Sequence, residues 1–141
     1  MDEIERLQRE LIGEFQGLGD GFEQYAYLIE LSALLPSLPP EKKTEERAVK
    51  GCQSHVWLDM RAENGLFRFD GDSDTYILKG ILYLLRRLFD GQPLAAVAAA
   101  KLALFSETEI MATFGPDRQK GIGHVVRAMQ RFCAEQCAPS N

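Results

Sequence analysis

The chain has 141 residues, of which 45% are hydrophobic and 26% are charged, a composition typical of a globular protein with one core rather than two. Its net charge is −5 and its lysines and arginines are dispersed, so we expect no nucleic-acid partner. No apolar run approaches the roughly 20 residues that span a bilayer, and the acidic start Met1-Asp2-Glu3 is unlike a signal peptide, which predicts a cytoplasmic protein without a membrane segment.

The first third of the chain predicts two amphipathic helices followed by a loop. Apolar residues recur at helical spacing over residues 4–15 and again up to Pro36, where the second helix should stop. Each helix follows an aspartate, Asp2 or Asp20, whose side chain can cap the first turn. Residues 36–47 contain three prolines and alternating charges without apolar periodicity, which predicts an exposed loop.

Between Arg47 and Asp70 the apolar period changes from about 3.6 to 2. Apolar and polar residues alternate over residues 56–61, Asn64-Gly65 supplies a turn with positive φ, and a second alternating run follows. This pattern predicts a β-hairpin. Because an isolated hairpin is marginal in water, we expect Arg47-Ala48-Val49 to add a third short strand.

The rest of the chain predicts helices. A long one begins at Ser73 and ends at Gly91, and shorter ones are expected over residues 94–104 and 107–114. The last helix starts near Pro116. The predicted fold class is therefore α+β, a small three-stranded antiparallel sheet with helices packed against it, in one domain that spans the whole chain.

Three cysteines, an odd and unevenly spaced number, do not form a disulfide framework. Cys133 falls on the apolar stripe of the last helix, which predicts a small buried hydrophobe. Cys137 lies one turn further on, and the two could ligate a metal, but no histidine or further cysteine lies nearby in sequence to complete four ligands. Cys52 differs because Gly51 and Gln53-Ser54 place it in a flexible polar turn, which predicts a reactive thiol.

Three blocks of sequence resemble the signatures of the SufE family of sulfur-acceptor proteins, in matching order and spacing over about residues 15–132. The blocks are Gly51-Cys52-Gln53-Ser54 with Val56-Trp57, then Gly71-Asp72-Ser73-Asp74 with Lys79-Gly80, then Pro116-Asp117-Arg118 with Gly121. The resemblance implies a compact fold akin to the iron–sulfur scaffold protein IscU.

The same resemblance implies a role for Cys52. The loop cysteine would take sulfane sulfur from a cysteine desulfurase, enhance the turnover of that enzyme, and hand the sulfur on to a scaffold for iron–sulfur cluster assembly. The protein would then be a sulfur carrier and activator rather than a stand-alone enzyme. Pyridoxal phosphate would belong to the partner desulfurase, so no cofactor or metal is expected in this chain.

Sulfur transfer requires a thiolate at Cys52, and an unperturbed cysteine is only a few per cent thiolate near neutral pH. Lys50 is the nearest cation in sequence and could favour the anion. The resemblance carries the family's arginine onto Arg118, which would steady the thiolate or position the loop. The structural alternative for Arg118 is an ion pair with Asp117 or Asp74 at the start of the last helix.

Residues of the loop and one carboxylate are assigned to partner binding: Gly51, Gln53, Ser54, His55 and Asp74. His55 suggests a Cys–His pair, although we expect it to be an exposed residue leading into the strand. Asp74 either belongs to a helix cap with Asp72 or Ser73, or faces the loop and limits when the thiol is exposed or charged. The other histidine, His124, is expected to face solvent.

A persulfide must survive between donor and acceptor, which predicts shelter for Cys52 from Val56, Trp57 and the helix over residues 73–89. The loop would then swing out in the complex. Two other functions stay open: a metal or iron–sulfur scaffold, which needs several converging ligands, and a regulator that binds a desulfurase without carrying sulfur. The particular desulfurase, the final sulfur acceptor and the oligomeric state, monomer or dimer, also stay open.

Overall fold

A computed structural model describes residues 2–137, which form five α-helices and one antiparallel hairpin. The elements are α1 (Glu3–Gln16), α2 (Gly21–Ser32), a 3₁₀ turn (Pro40–Lys42), β1 (Val56–Glu63), β2 (Leu66–Ser73), α3 (Tyr76–Phe89), α4 (Leu94–Ala99) and α5 (Pro116–Cys137). Within this part of the chain, no helix combines the length and apolarity needed to cross a membrane.

The two N-terminal helices begin where the aspartate caps predict. The Asp2 carboxylate accepts a hydrogen bond from the backbone N–H of Glu5 at 2.8 Å, and Asp20 accepts two from the first turn of α2 at 3.1 Å. Helix α2 ends at Ser32 rather than at Pro36. The residues between them form turns with i→i−3 hydrogen bonds, a tightening that is common at helix ends.

The hairpin is the predicted one. Strands β1 and β2 pair in antiparallel register from Val56 opposite Ser73 to Glu63 opposite Leu66. The turn is made by Asn64 and Gly65, whose φ angles are 53° and 78°. A two-residue turn with both φ angles positive matches the twist of the flanking strands.

The predicted third strand at Arg47-Ala48-Val49 is wrong, and the sheet has two strands. The segment makes only one bridge, between Ala48 and Trp57, flanked by backbone hydrogen bonds of 2.8 and 2.9 Å. It cannot extend because a turn closed by the Thr44 carbonyl precedes it, and Gly51, with φ of 87°, leads the chain away after it.

Helix α3 begins at Tyr76, not at Ser73, and neither Asp72 nor Ser73 caps it. Ser73 is still paired with β1, and the cap is Thr75, whose hydroxyl accepts from the N–H of Leu78 at 3.4 Å. The strand pairing of the hairpin therefore includes the residue at which the sequence predicts the helix to begin.

The prediction of a helix over residues 107–114 is also wrong, since this segment forms turns. The helix predicted over residues 94–104 is shorter than expected, because α4 ends at Ala99. Two buried glutamines explain the difference. Gln8 accepts from two backbone N–H groups of residues 103–104 at 2.8 and 3.0 Å, and Gln24 accepts from the N–H of Glu109 at 2.8 Å. Side chains from α1 and α2 thus satisfy backbone groups that a helix would otherwise pair.

Helix α3 lies at the centre of the core. It packs against α1, α2 and β2, while α5 packs against α4 and β1. Alternation along the hairpin buries Phe67 and Phe69 of β2, which are 0% and 1% exposed. This arrangement brings β1, and the loop that precedes it, against the first half of α5.

Asp72 connects the loop after α2 to the region before α3. Its buried carboxylate accepts from the N–H groups of Leu38 at 3.0 Å and Ser73 at 2.8 Å, and the ammonium groups of Lys43 and Lys79 lie 3.3 and 3.7 Å away. Burial acts to raise the pKa of Asp72, but the two N–H donors and Lys43 outweigh it and hold the pKa below its usual range.

Replacing Asp72 with asparagine should lower the free energy of unfolding by about 2 kcal/mol at pH 7, because the two N–H groups and the neighbouring Lys43 and Lys79 lose a buried charged acceptor. Since the folded-state pKa is depressed, this contribution is present above the unfolded pKa and is lost as pH falls, from about pH 5 downward. Urea unfolding at pH 7 and at lower pH measures both effects.

The matched control is Glu63→Gln, which removes an exposed carboxylate from its pair with Arg61. We expect it to change the free energy of unfolding by less than about 0.5 kcal/mol. A difference between wild type and Asp72→Asn that stayed constant down to low pH would contradict the assigned role of the carboxylate.

Candidate functional site

Cys52 lies in the loop between residues 47–49, which form the single bridge to β1, and the start of β1 itself. Its side chain packs on α5. The thiol is half-buried and donates a hydrogen bond to the carbonyl oxygen of Gly121, with Sγ and O 3.4 Å apart. Beside it is a cavity of about 20 Å³, close to the space of one water molecule. The lining residues are Cys52, Gln53, Ser54, Leu78, Asp117, Arg118 and Gly121.

The shelter predicted for the thiol is confirmed in part, because Leu78 belongs to the helix that was expected over residues 73–89. Leu78 of α3 and Gly121 of α5 line the cavity, whereas Val56 and Trp57 are not among its lining residues. The cavity is far too small for the reacting group of a partner protein. In this conformation the cavity leaves little room for a group of another protein to approach the thiol.

A glycine on each side marks the contact between the loop and α5, and Gly51 is the one that the close approach requires. A Cβ atom on Gly121 would stand 3.4 Å from the Cys52 sulfur. A Cβ on Gly51 would stand 2.8 Å from both Cδ2 and Nε2 of His124, and the φ of Gly51 is 87°. His124 is thus half-buried against the loop instead of facing solvent as expected.

Carboxylates hold the loop on both sides of Ser54. The amide of Gln53 donates to Asp117 Oδ2 at 3.1 Å. Asp74 accepts from the backbone N–H of His55 at 3.1 Å and contacts the Nδ1 atom of the same residue at 3.1 Å. The Asp74 carboxylate thus faces the loop, while its control over the exposure or charge of the thiol stays a prediction.

His55 does not line the Cys52 cavity. Its imidazole is exposed, pairs with Asp74, and stacks on Trp57 with ring centroids 5.6 Å apart. The backbone carbonyl of His55 also accepts from the hydroxyl of Ser73 at 2.7 Å. These contacts anchor the end of the loop where β1 begins.

The two cations proposed to favour the thiolate have other contacts in this conformation. Lys50 is ion-paired with Glu45. Arg118 lines the Cys52 cavity, but its guanidinium lies over the ring of Phe114, 5.8 Å from the centroid. Among residues 2–137, Arg118 has no carboxylate within ion-pair distance, so the pairing with Asp117 or Asp74 considered above is not seen.

Burial raises the pKa of the Cys52 thiol. The closed loop therefore favours the neutral thiol over the reactive thiolate.

The other cysteines differ sharply from Cys52. Cys133 is 0% exposed, as predicted, and burial, with a smaller effect of Cys137, raises its pKa to about 12. Cys137 is exposed at the end of α5. Within the described part of the chain, no group of three or more histidine, cysteine or carboxylate side chains is arranged to hold a metal ion.

The sequence interpretation missed the contact between the loop and α5. Gly121 was predicted only as part of a block that resembles the family, Leu78 only as part of the helix expected to shelter the loop, and His124 was expected to face solvent. The Cys52 and Gly121 partners are 69 residues apart in the chain, beyond the reach of local patterns. Together these residues define a small α+β protein with one sheltered, half-buried thiol on a glycine-hinged loop.

Comparisons with known proteins agree with this class. The SufE model, described as an Fe-S metabolism associated domain, matches residues 9–133. An uncharacterized SufE-like protein of Rhizobium etli is 32% identical over 126 residues, which cover 86% of this chain and 85% of that protein. The sulfur acceptor protein CsdE of Escherichia coli is 36% identical over 109 residues, which cover 76% and 74%. The chain belongs to the SufE family, and the resemblance of its three blocks is confirmed.

A solved structure shows the same fold. The solution structure of a hypothetical protein from Thermus thermophilus superposes with a TM-score of 0.75 over 92% of this chain and 94% of that one, at 21% identity. At this identity the likeness concerns the fold alone.

Proposed function

We propose that this protein is a sulfur acceptor in which Cys52 receives sulfane sulfur from a cysteine desulfurase and passes it on for iron–sulfur cluster assembly. The observation that carries the proposal is the position of Cys52, a half-buried thiol on a loop packed against α5, in a family with a member named a sulfur acceptor. A downstream cluster scaffold and a cytoplasmic location belong to the same proposal.

The proposed step is a thiol–persulfide exchange. The Cys52 thiolate attacks the terminal sulfur of the donor's cysteine persulfide, a new S–S bond forms at Cys52, and the donor's own S–S bond breaks. The donor cysteine leaves as a thiolate, and Cys52 carries the transferred sulfur as a persulfide. One sulfur atom moves, and no external oxidant or reductant is needed.

The closed loop suits the carrier between transfers. A raised thiol pKa and a cavity of about 20 Å³ both lower the reactivity of Cys52 toward oxidants in solution. The partner would then bind the residues assigned to it, Gly51, Gln53, Ser54, His55 and Asp74. Its binding would displace the contacts that hold the loop closed.

Loop opening would also free the cations. The side chains of Lys50 and Glu45 are 70% and 88% exposed, and an ion pair so exposed contributes little to stability. Lys50 could therefore turn toward Cys52 at little cost. Arg118 already borders the thiol and would face the thiolate once Cys52 leaves the Gly121 carbonyl.

Intact-mass spectrometry tests the proposal directly. After incubation with a cysteine desulfurase, cysteine and pyridoxal phosphate, the wild-type protein should gain the mass of one sulfur atom. Cys52→Ser should gain none, because serine cannot form a persulfide. The matched control is Cys137→Ser, which removes an exposed thiol and should leave the gain unchanged.

Two results would oppose the proposal. Sulfur still gained by Cys52→Ser would move the acceptor to another thiol. Full stimulation of the desulfurase by Cys52→Ser, with no sulfur on the wild-type protein, would instead identify a regulator that carries no sulfur.

A further inference from the structure

A second concavity lies on the other side of the cysteine loop and is far larger than the Cys52 cavity. It is a groove of about 530 Å³ between residues 46–51 and α5, open to solvent along one side. Leu58 and Met60 of β1 are among its apolar lining residues. We call it the basic groove because its lining includes Arg47, Lys50, Arg127 and Arg131, with Glu46 as the single acidic lining residue.

The charge of the groove contrasts with that of the chain, which is −5 overall. Arg127 and Arg131 are exposed on α5, and among residues 2–137 neither has a carboxylate within ion-pair distance. Arg127 instead donates a hydrogen bond to Nδ1 of His124 at 3.0 Å. Two arginines without acidic partners, set beside an apolar surface, leave a positive field that an anionic partner would neutralise.

The groove is joined to the cysteine loop. Lys50 and Gly51 line it and directly precede Cys52, and His124 both lines the groove and packs against Gly51. A ligand in the groove would thus lie one residue from the thiol-bearing position. Since Gly51 has positive φ, it is a natural hinge between groove and thiol.

We infer that the basic groove is the docking surface for an acidic segment of the cysteine desulfurase, an inference that rests on the proposed function for the identity of the partner. Carboxylates of that segment would meet Arg127 and Arg131, and an apolar side chain would cover the partly exposed Val49 and Met60. An open groove with an apolar surface and a basic rim suits a polypeptide better than a small anion, which would leave the apolar surface exposed.

The position of Lys50 favours the sulfur donor over the receiver as the occupant. The donor meets the protein with the loop closed, so its docking has to open the loop. A partner carboxylate that competes with Glu45 for Lys50 would pull on the residue before the Gly51 hinge. Docking in the groove would thereby weaken the contact of Cys52 with Gly121.

Charge reversal on α5 tests the inference. The dissociation constant for the desulfurase of the same organism is measured by isothermal titration for the wild type, Arg127→Glu and Arg131→Glu. Each reversal should raise it by roughly tenfold at low ionic strength, and the difference should shrink at about 0.3 M salt, because screening weakens exposed charges.

The matched control is Lys101→Glu, which makes the same change in charge at an exposed residue outside the groove. It should change the dissociation constant by less than about twofold. Thermal unfolding checks that each variant is folded. If a charge-reversal variant does not fold, Arg131→Gln, which only removes the charge, replaces it. It should weaken binding in the same direction.

A second measurement, the mass of sulfur gained by each protein at saturating desulfurase, tests the proposed function separately from the docking surface. Weakened binding by the arginine variants supports the groove even if the wild type gains no sulfur, a result that would overturn only the function. Binding of all variants equal to wild type, or no binding of the desulfurase at all, overturns the docking surface. Equal loss of affinity in Lys101→Glu would do so too, because it would show a general effect of net charge.

Discussion

Replacing Gly51 with alanine should increase the alkylation rate of Cys52 by roughly tenfold or more. A φ of 87° costs a residue with a Cβ about 1–2 kcal/mol, and the added carbon would stand 2.8 Å from the His124 ring. Both effects raise the free energy of the closed loop. Since about 1.4 kcal/mol corresponds to tenfold in population, the open form should become correspondingly more accessible.

The measurement is iodoacetamide labelling followed by peptide mapping, so that Cys52 is separated from Cys133 and Cys137. Gly65→Ala is the matched control, because Gly65 has a similar φ of 78° but has nothing within 4 Å of its Cβ position, in a hairpin turn away from the thiol. It should lower stability without changing the Cys52 rate. An unchanged rate in Gly51→Ala would show that closure does not limit access.

The pH dependence of the same reaction gives a second test. Burial raises the pKa of Cys52, so alkylation of the folded protein should reach half its maximal rate at a higher pH than alkylation of the urea-unfolded chain. In Gly51→Ala the midpoint should move down toward the unfolded value. By linkage, the folded state loses stability as pH rises through the raised pKa.

Gly80→Ala should lower the free energy of unfolding by about 3 kcal/mol, since inserting a methyl group into a packed interface forces backbone shifts. A Cβ on Gly80 would stand 2.5 Å from the carbonyl oxygen of Leu28 and 2.7 Å from its Cγ. The first neighbour is backbone, so α2 and α3 would have to move apart. Urea unfolding followed by circular dichroism measures the loss.

The matched control is Gly13→Ala in α1, an exposed helical glycine with nothing within 4 Å of its Cβ position. It should stabilise the protein by about 0.5–1 kcal/mol, because alanine loses less conformational entropy in a helix. Equal effects of the two substitutions would contradict the close approach of α2 and α3. Gly80 belongs to a block that resembles the family, yet its role here is packing.

Local patterns predicted the elements whose start and end depend on neighbouring residues. The aspartate caps placed the beginnings of α1 and α2, and Asn64-Gly65 placed the hairpin turn. The helix predictions over residues 100–104 and 107–114 were wrong because backbone groups there are paired by Gln8 and Gln24, which lie far away in sequence.

The third strand failed for a related reason. Residues 47–49 carry strand-compatible side chains, but two backbone hydrogen bonds are all that the path between Thr44 and Gly51 allows. Pattern alone does not show how long a segment stays beside its neighbour.

The sequence by itself determined that Cys52, alone among the three cysteines, follows a glycine in a polar turn, because this is a local property of residues 51–54, and it predicts that Cys52 is the one that reacts. Only the tertiary structure decided how far the Cys52 thiol is buried and which residues surround it. Its contact with Gly121, the His124 ring against Gly51, and the basic groove beside them all require α5 to pack on β1. Burial in that packing, rather than any neighbouring residue in the chain, raises the pKa of Cys52.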